Sequence, residues 1–227
     1  MLIAEDLLLL LTDDDSGAAA ASLRVDLGLA GALLAELVLL NRVDLAGDGA
    51  RVKKGRLVVR DVTPTEDELL DGALERLAKQ EGRRPDKGVR ALTKQTRRVI
   101  YMRLAERGLV RQHESKLFGM TLRTTWPAEQ RSHEQLLRAN LATALDIGSQ
   151  LADRDSALLM ILAAVGRLDV VAAGGQTPLS RKDIRRMNDE LAKSWWVSDA
   201  VRKAVSSHNA AVAGGITAAT SAAVMSP

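Results

Sequence analysis

A helix followed by a two-stranded hairpin is predicted twice in this chain, and this repeated unit limits the folds that the chain can adopt. In the first unit, the stretch from Leu23 to Leu40 has apolar residues at spacings of three and four, which predicts a helix. Residues 42–45 and 56–60 then alternate in the manner of strands, with a glycine-rich turn between them. We therefore expect helices that are interrupted by short hairpins.

The second unit begins at Gly88, where the pattern predicts one helix that ends at Gly108. One face of this helix is apolar, and a neighbouring face is basic. The apolar face comprises Val89, Leu92, Val99, Ile100 and Leu104. After the helix, residues 109–111 are predicted as a strand, 113–115 as a turn and 116–123 as the return strand.

The composition favours packed helices. Hydrophobic residues make up 46% of the 227 residues and aromatic residues only 2%, so the core must consist mainly of Leu, Val and Ala. The fold class that we expect is mainly α, a single globular helical domain with short β-hairpins over residues 1–213. Residues 214–227 are rich in small side chains and are predicted to be a flexible tail. The residues predicted to be buried include Leu33, Leu37, Leu158 and Leu162.

Positive charge is concentrated in one part of the chain. The formal net charge of the whole chain is +3, but the window from Glu81 to Arg111 has ten cations and three anions, a net charge of +7. Such a zone favours an anionic partner, which could be a lipid headgroup, a nucleic acid or a phosphorylated ligand. The cations predicted to share the basic face are Arg90, Lys94, Arg97 and Arg98. These cations could instead pair with acids such as Glu106 or Asp26.

The residues that catalysis requires are not grouped in the sequence. The three histidines, at positions 113, 133 and 208, have neither metal-ligand spacing nor a paired carboxylate, and there is no cysteine. We find no glycine-rich phosphate loop and no HExxH motif. We therefore expect no enzyme activity, no cofactor and no metal. No convincing targeting segment or membrane span is present either, which predicts a cytoplasmic protein.

Four segments of the chain, in the same order, resemble the Golgi phosphoprotein 3 family. They read EDLLLLLTDDDSG from Glu5, GLAGALLAELVLLNRVDL from Gly28, PTEDELLDGALERL from Pro64 and RLAERGLV from Arg103. With their connections they span about residues 3 to 123. The basic N-terminal arm of Golgi members is missing, and this difference and the composition together suggest a bacterial-type member.

The resemblance implies a mostly helical domain that lies at the membrane surface and binds phosphatidylinositol 4-phosphate in a shallow basic pocket. Two basic pocket residues on the helix before the hairpin match Lys94 and Arg97. The pocket arginine of Golgi members is replaced by Ala30, and the pocket tryptophan falls near Ala21. The cations that could substitute for them are Arg24, Arg90 and Arg98. The lipid of this chain is therefore expected to be that phosphoinositide or a related anionic lipid.

The hairpin after the basic helix has a role that is likewise implied by the resemblance. In the family it is taken to aid membrane contact or self-association, and the apolar candidates for such contact here are Leu117, Phe118 and Met120. The protein is thus expected to be cytoplasmic and peripheral at the membrane, with an anionic membrane lipid as partner and no nucleic acid.

Two other functions stay open at the level of sequence. A basic helix before a hairpin is also typical of winged-helix nucleic-acid-binding proteins, although the predicted hairpin has few cations. An adaptor whose basic helix meets an acidic protein would carry the same charge pattern.

Overall fold

The computed structural model describes residues 1–13, 15–17, 22–117, 120–147, 151–173 and 179–224, with the backbone alone described at 116–117, 120–123, 146–147 and 212–224. This part of the chain contains ten helices and two antiparallel strand pairs. The helices are α1 (Ile3–Leu11), α2 (Leu23–Leu39), α3 (Glu68–Ala78), α4 (Pro85–Ala91), α5 (Thr96–Glu106), α6 (Ser132–Ile147), α7 (Asp153–Ala164), α8 (Asp169–Ala172), α9 (Arg181–Ser194) and α10 (Trp196–Val224). The strands are β1 (Val43–Leu45), β2 (Leu57–Val59), β3 (His113–Leu117) and β4 (Met120–Thr125).

The two strand pairs are small hairpins beside a helical core. Strand β1 pairs with β2 from Val43 opposite Val59, and β3 pairs with β4 from His113 opposite Thr125. The predicted fold class, mainly α with short hairpins, is confirmed. None of the helices in the described ranges is long and apolar enough to cross a membrane.

Helix α2 lies at the centre of the core. It packs against α1, α7, α10 and α4, and its apolar side chains join one continuous buried cluster with those of α7 and α10. Leu33, Leu37, Leu158 and Leu162 are all fully buried in this cluster, as predicted. Burial of a leucine side chain contributes about 1.5–3 kcal/mol, so each of these four leucines stabilises the core.

The prediction of a single basic helix from Gly88 to Gly108 is wrong, because the structure has two helices in this region, α4 and α5. Helix α4 ends at Ala91, and Gln95 takes a left-handed conformation with φ of 63° before α5 begins at Thr96. The break lets each helix bury its own apolar residues. Helix α4 packs against α2 and α10, whereas α5 packs against α1 and α2.

The break changes which face of α5 is buried. Val89 and Leu92 of the predicted apolar face are buried, as are Ile100 and Leu104, but the Val99 side chain is 38% exposed. The prediction that Val99 belongs to the buried face is wrong. The left-handed Gln95 interrupts the helix, so the side chains of α5 are rotated relative to the positions that one continuous helix would give them. Val99 therefore lies on the surface.

The second hairpin also differs from its prediction. Residues 113–115, predicted as a turn, belong to strand β3, and the connection to β4 falls at residues 118–119, outside the described residues. Leu109 and Val110, predicted as strand, are buried, and Val110 forms an isolated bridge with Ala128. Their burial removes two apolar side chains from water, and the bridge joins the segment before β3 to the segment after β4.

The C-terminal helix enters the segment that the sequence predicts to be a flexible tail. Helix α10 runs to Val224, beyond the predicted domain end at residue 213. The division of the chain into residues 1–213 and 214–227 stays a prediction.

Candidate functional site

The N-terminus of α5 concentrates positive charge. Its cap residue Gln95 makes no side-chain capping hydrogen bond, and no acidic residue lies in the first turn, which holds Arg97 and Arg98. The backbone N–H groups of a first turn have no partner within the helix and give it a partial positive charge. Acids are the usual residues at such a position, so the cations here raise the local potential further.

A cavity of about 310 Å³ adjoins this helix terminus. Its charged lining residues are Lys94, from the linker before α5, and Arg76, from the last turn of α3. Gln95, Thr96 and Val99 form the wall on the α5 side. Among the described residues, no carboxylate oxygen lies within 4.0 Å of a side-chain nitrogen of either cation.

Backbone contacts hold Arg76 beside Lys94. The Arg76 Nε atom donates to the Gly72 carbonyl at 3.0 Å, one turn earlier in α3, and Nη1 lies 3.5 Å from the Lys94 carbonyl oxygen. Sequence reasoning missed Arg76, because no local pattern indicates that α3 meets the α4–α5 linker. The sequence offers one weak signal for its role: Arg76 is the one basic residue of the segment that starts at Pro64 and ends at Leu77.

Arg97 is turned toward α2. Its Nε atom donates to Oδ1 of Asp26 at 2.8 Å, and Nη2 donates to the Ser22 carbonyl at 2.9 Å. The side chains of Arg97 and Asp26 are only 21% and 27% exposed. The alternative that a basic residue pairs with Asp26 is thus confirmed for Arg97, which ties α5 to the start of α2.

The other predicted cations lie in different surroundings. Arg90 donates from Nη2 to the Ala204 carbonyl at 2.7 Å, which joins α4 to α10. Arg98 is exposed beside Arg97, and the structure shows no carboxylate partner for it in the described ranges. Arg24 lines a separate cavity near α9. The structure therefore places Lys94, Arg97 and Arg98 close together in the chain at the N-terminus of α5, but Lys94 lines the cavity there whereas Arg97 and Arg98 do not, and Arg24 lies at the other cavity.

Two further cations of the window from Glu81 to Arg111 form ion pairs with a buried carboxylate. Glu5 is fully buried, and its carboxylate accepts hydrogen bonds from Arg103 Nε and Arg107 Nη1, both at 2.8 Å. Arg103 also donates to both carboxylate oxygens of Asp67, at 3.1 and 2.6 Å. Asp67 is the N-cap of α3 and accepts from the backbone N–H groups of Leu69 and Leu70.

These contacts shift the pKa of both acids. Burial by itself raises the pKa of Glu5, but the hydrogen bonds from the Leu2 backbone and Arg103, and the charge of Arg107, outweigh it and hold the pKa below its ordinary value. The pKa of Asp67 is lowered in the same way, against its burial, by Arg103 and the backbone of α3. The cluster thus fastens α1, α3 and α5 to one another.

The surface of α5 beside the basic residues carries exposed apolar side chains. Val99 is 38% exposed and Met102 is 46% exposed, one turn apart on the helix. Of the predicted contact residues in the second hairpin, Phe118 lies outside the described residues, and for Leu117 and Met120 the backbone alone is described, where they pair with each other. The role of the hairpin in membrane contact stays a prediction.

This chain differs at two residue positions from the pocket that the resemblance implies. Ala30, at the position of the pocket arginine, is fully buried within α2. Ala21, near the position of the tryptophan, lies outside the described residues. In the parts of the chain that are described, no group of three His, Cys, Asp or Glu residues could hold a metal ion.

Comparison with known proteins gives one match that covers most of the chain. The model of the family described as Golgi phosphoprotein 3 (GPP34) matches residues 3–208. No curated protein matches the chain. The family match includes all ten helices apart from the end of α10, and it extends well beyond the four resembling segments. The chain therefore belongs to the Golgi phosphoprotein 3 family.

Proposed function

We propose that this protein binds the phosphorylated headgroup of an anionic membrane lipid at the junction of α4 and α5, and that it is a peripheral membrane protein. The lipid is phosphatidylinositol 4-phosphate or a related anionic lipid. The observation that carries the proposal is the cavity at the N-terminus of α5, where Lys94 and Arg76 have no carboxylate partner among the described residues. Family membership supports it, because the resemblance implies the same class of ligand.

The electrostatics of the junction favour an anion. Cations in the first turn of a helix are unfavourable by about 0.3–1 kcal/mol each, and a phosphate placed at the helix terminus reverses the sign of that interaction. Lys94 would act as a point charge, whereas an arginine such as Arg76 can donate to two phosphate oxygens. Arg76 thereby provides a second cation at the site. Ala30, at the position of the pocket arginine in Golgi members, provides none.

The surface beside the cavity suits contact with a membrane. Arg98 is exposed, and a basic residue near an anionic surface contributes about 1 kcal/mol within a Debye length of about 8 Å. The exposed Val99 and Met102 can enter the interface next to it. Contributions of this size support weak, reversible binding of a cytoplasmic protein to a membrane.

The test is co-sedimentation with liposomes at two salt concentrations. Vesicles of phosphatidylcholine are compared with vesicles that also contain phosphatidylinositol 4-phosphate, or phosphatidylglycerol at matched surface charge. We expect binding to the anionic vesicles that falls by about tenfold or more when salt rises from 0.1 M to 0.5 M, since the Debye length shrinks. Equal binding to neutral vesicles would contradict the proposal. Tight binding to DNA without binding to any vesicle would favour the winged-helix alternative.

A further inference from the structure

A second cavity, of about 540 Å³, lies between α7, α9, α10 and the first turn of α2. It shares no lining residue with the cavity at the α4–α5 junction. Five arginines and two aspartates line it, and the arginines come from four different parts of the fold. These arginines are Arg24, Arg167, Arg181, Arg185 and Arg202. A cavity with this excess of guanidinium groups attracts anions.

Two of the five arginines form ion pairs with aspartates, and the other three have no carboxylate partner in the described part of the chain. Arg167 contacts Asp169, and Arg202 contacts Asp199. The side chains of Arg24, Arg181 and Arg185 are exposed, and no carboxylate of the described chain lies within 4.0 Å of them. Arg181 and Arg185 are one turn apart on α9, so they stand on one face of that helix.

A buried acceptor without a partner lies in the same cavity wall. The Oδ1 atom of Asn188 is buried and makes no hydrogen bond in the described structure. Asn188 follows Arg185 by three residues on α9, so both occupy the helix face that lines the cavity. A buried acceptor in this state costs free energy that a ligand with an N–H or O–H group would recover.

The rest of the wall is mostly apolar, apart from Ser206 and Asn209, and the volume exceeds that of a simple ion. Val165, Ile184 and Val205 are among the apolar lining residues. Sites for small molecules typically have volumes of about 300–1,000 Å³, with apolar walls and a few placed polar groups. The cavity thus has the size, the charge and the hydrogen-bond acceptor of a ligand site.

We propose that this cavity binds a phosphomonoester that also carries a hydroxyl or N–H donor. Arg24, Arg181 and Arg185 hold the phosphoryl oxygens, because guanidinium groups donate to two such oxygens at once. Asn188 Oδ1 accepts from the donor of the ligand. The ligand is either a soluble phosphorylated metabolite or a phosphorylated lipid headgroup, since the two share this chemistry.

The test uses glycerol 3-phosphate as the probe and the full chain as the protein. Binding is followed by the shifts of the Arg24 Nε–H and Asn188 side-chain resonances, because both residues line this cavity and neither lines the cavity at the α4–α5 junction. Sodium chloride added to matched ionic strength is the reference. The variant R181Q/R185Q should lose about tenfold or more in affinity, because two charge-assisted contacts are removed. The matched control is K182Q/R186Q, on the same helix but outside the cavity lining, and its affinity should stay within about twofold.

Either of two results would overturn the proposal: no saturable shift in the wild-type protein, or equal losses in the two double variants. Methyl phosphate, which has no hydroxyl group, tests the assignment of Asn188. The wild type should prefer glycerol 3-phosphate by about threefold, and the variant N188L should lose that preference. A wild type without preference contradicts this assignment.

Vesicles distinguish the two sources of the ligand. If vesicles with phosphatidylinositol 4-phosphate displace glycerol 3-phosphate from wild type and K94Q alike, the site takes a lipid headgroup. If they do not displace it, the site takes a soluble ligand. The K94Q variant should keep its affinity for glycerol 3-phosphate, because Lys94 does not line this cavity, and a loss in K94Q as large as that in R181Q/R185Q would contradict a separate site.

Discussion

The Nε atom of Arg97 lies 2.8 Å from Oδ1 of Asp26, and this ion pair joins residues 71 positions apart in the chain. The pair connects the first turn of α5 with the first turn of α2. A residue predicted as a headgroup ligand therefore also has a structural contact. The two roles can be separated by experiment, because Lys94 has no such contact in the described structure.

We predict that Arg97→Ala and Lys94→Ala differ in stability. Loss of the partly buried Arg97 contact should lower the free energy of unfolding by about 1–2 kcal/mol, whereas Lys94→Ala should change it by less than about 0.5 kcal/mol. Denaturant unfolding measures both. A double-mutant cycle with Asp26→Ala provides the control, and a coupling energy near zero would show that the pair contributes nothing.

The buried Glu5 cluster predicts a dependence of stability on pH. Glu5→Gln should lower the free energy of unfolding by about 2–3 kcal/mol at neutral pH, because Arg103 and Arg107 both lose their contact with the Glu5 carboxylate and Arg103 keeps only Asp67. The pKa of Glu5 in the folded protein is below its ordinary value of 4.5, so its stabilisation is present above that pH and is lost as pH falls through the folded pKa.

The measurement for this prediction is unfolding of wild type and Glu5→Gln between pH 7 and pH 3. The difference between them should be constant above about pH 5.5 and should shrink below the ordinary pKa. A difference that grows on acidification would mean that the pKa of Glu5 is raised in the folded protein.

Much of the fold follows from local patterns, whereas most of the site does not. The spacing of apolar residues predicts α2, and alternation predicts β1 and β2, because each pattern reflects one buried face of one element. The sequence does not predict the break at Gln95, since glutamine carries no local signal for a left-handed conformation. The Arg97–Asp26 pair and the contact of Arg76 with the linker depend on how distant elements pack.

The position of Arg24 shows the same limit. It lies two residues before Asp26, yet it lines the cavity near α9 whereas Asp26 meets Arg97. Two residues on a helix are separated by about 200° of rotation, so neighbours in sequence face opposite sides. Sequence alone indicates which cations are available, but the packing of α2 determines which cavity each one reaches.

A close approach of α2 and α10 predicts the effect of added volume at Gly31. A Cβ atom built there would lie 2.1 Å from Cγ2 of Val201, so Gly31→Ala should destabilise the protein by about 1–3 kcal/mol. The control is Gly72→Ala on α3, where the nearest atom is 3.8 Å away and alanine should stabilise the helix by up to about 1 kcal/mol. Thermal unfolding measures both variants, and equal melting temperatures would contradict the packing of α2 on α10.

The exposed apolar pair on α5 predicts a loss of membrane binding without a loss of stability. The variant V99S/M102S should bind vesicles with phosphatidylinositol 4-phosphate about three- to tenfold more weakly, because less apolar surface enters the interface. Its melting temperature should change little, since both side chains are more than a third exposed. The variant L136S, which replaces a 64% exposed leucine on α6, is the matched control and should bind as the wild type does.

The central claim is that the α4–α5 junction binds the lipid headgroup, and one comparison of matched variants tests it most directly. The variants R76Q/K94Q and K182Q/R186Q remove the same charge, from the junction cavity and from the outer surface of α9. Their affinities for vesicles with phosphatidylinositol 4-phosphate are measured by co-sedimentation at 0.1 M salt. We predict a loss of about tenfold or more for R76Q/K94Q and a change within about twofold for K182Q/R186Q. Equal losses in both variants would contradict a headgroup site at the junction and would indicate attraction by overall charge.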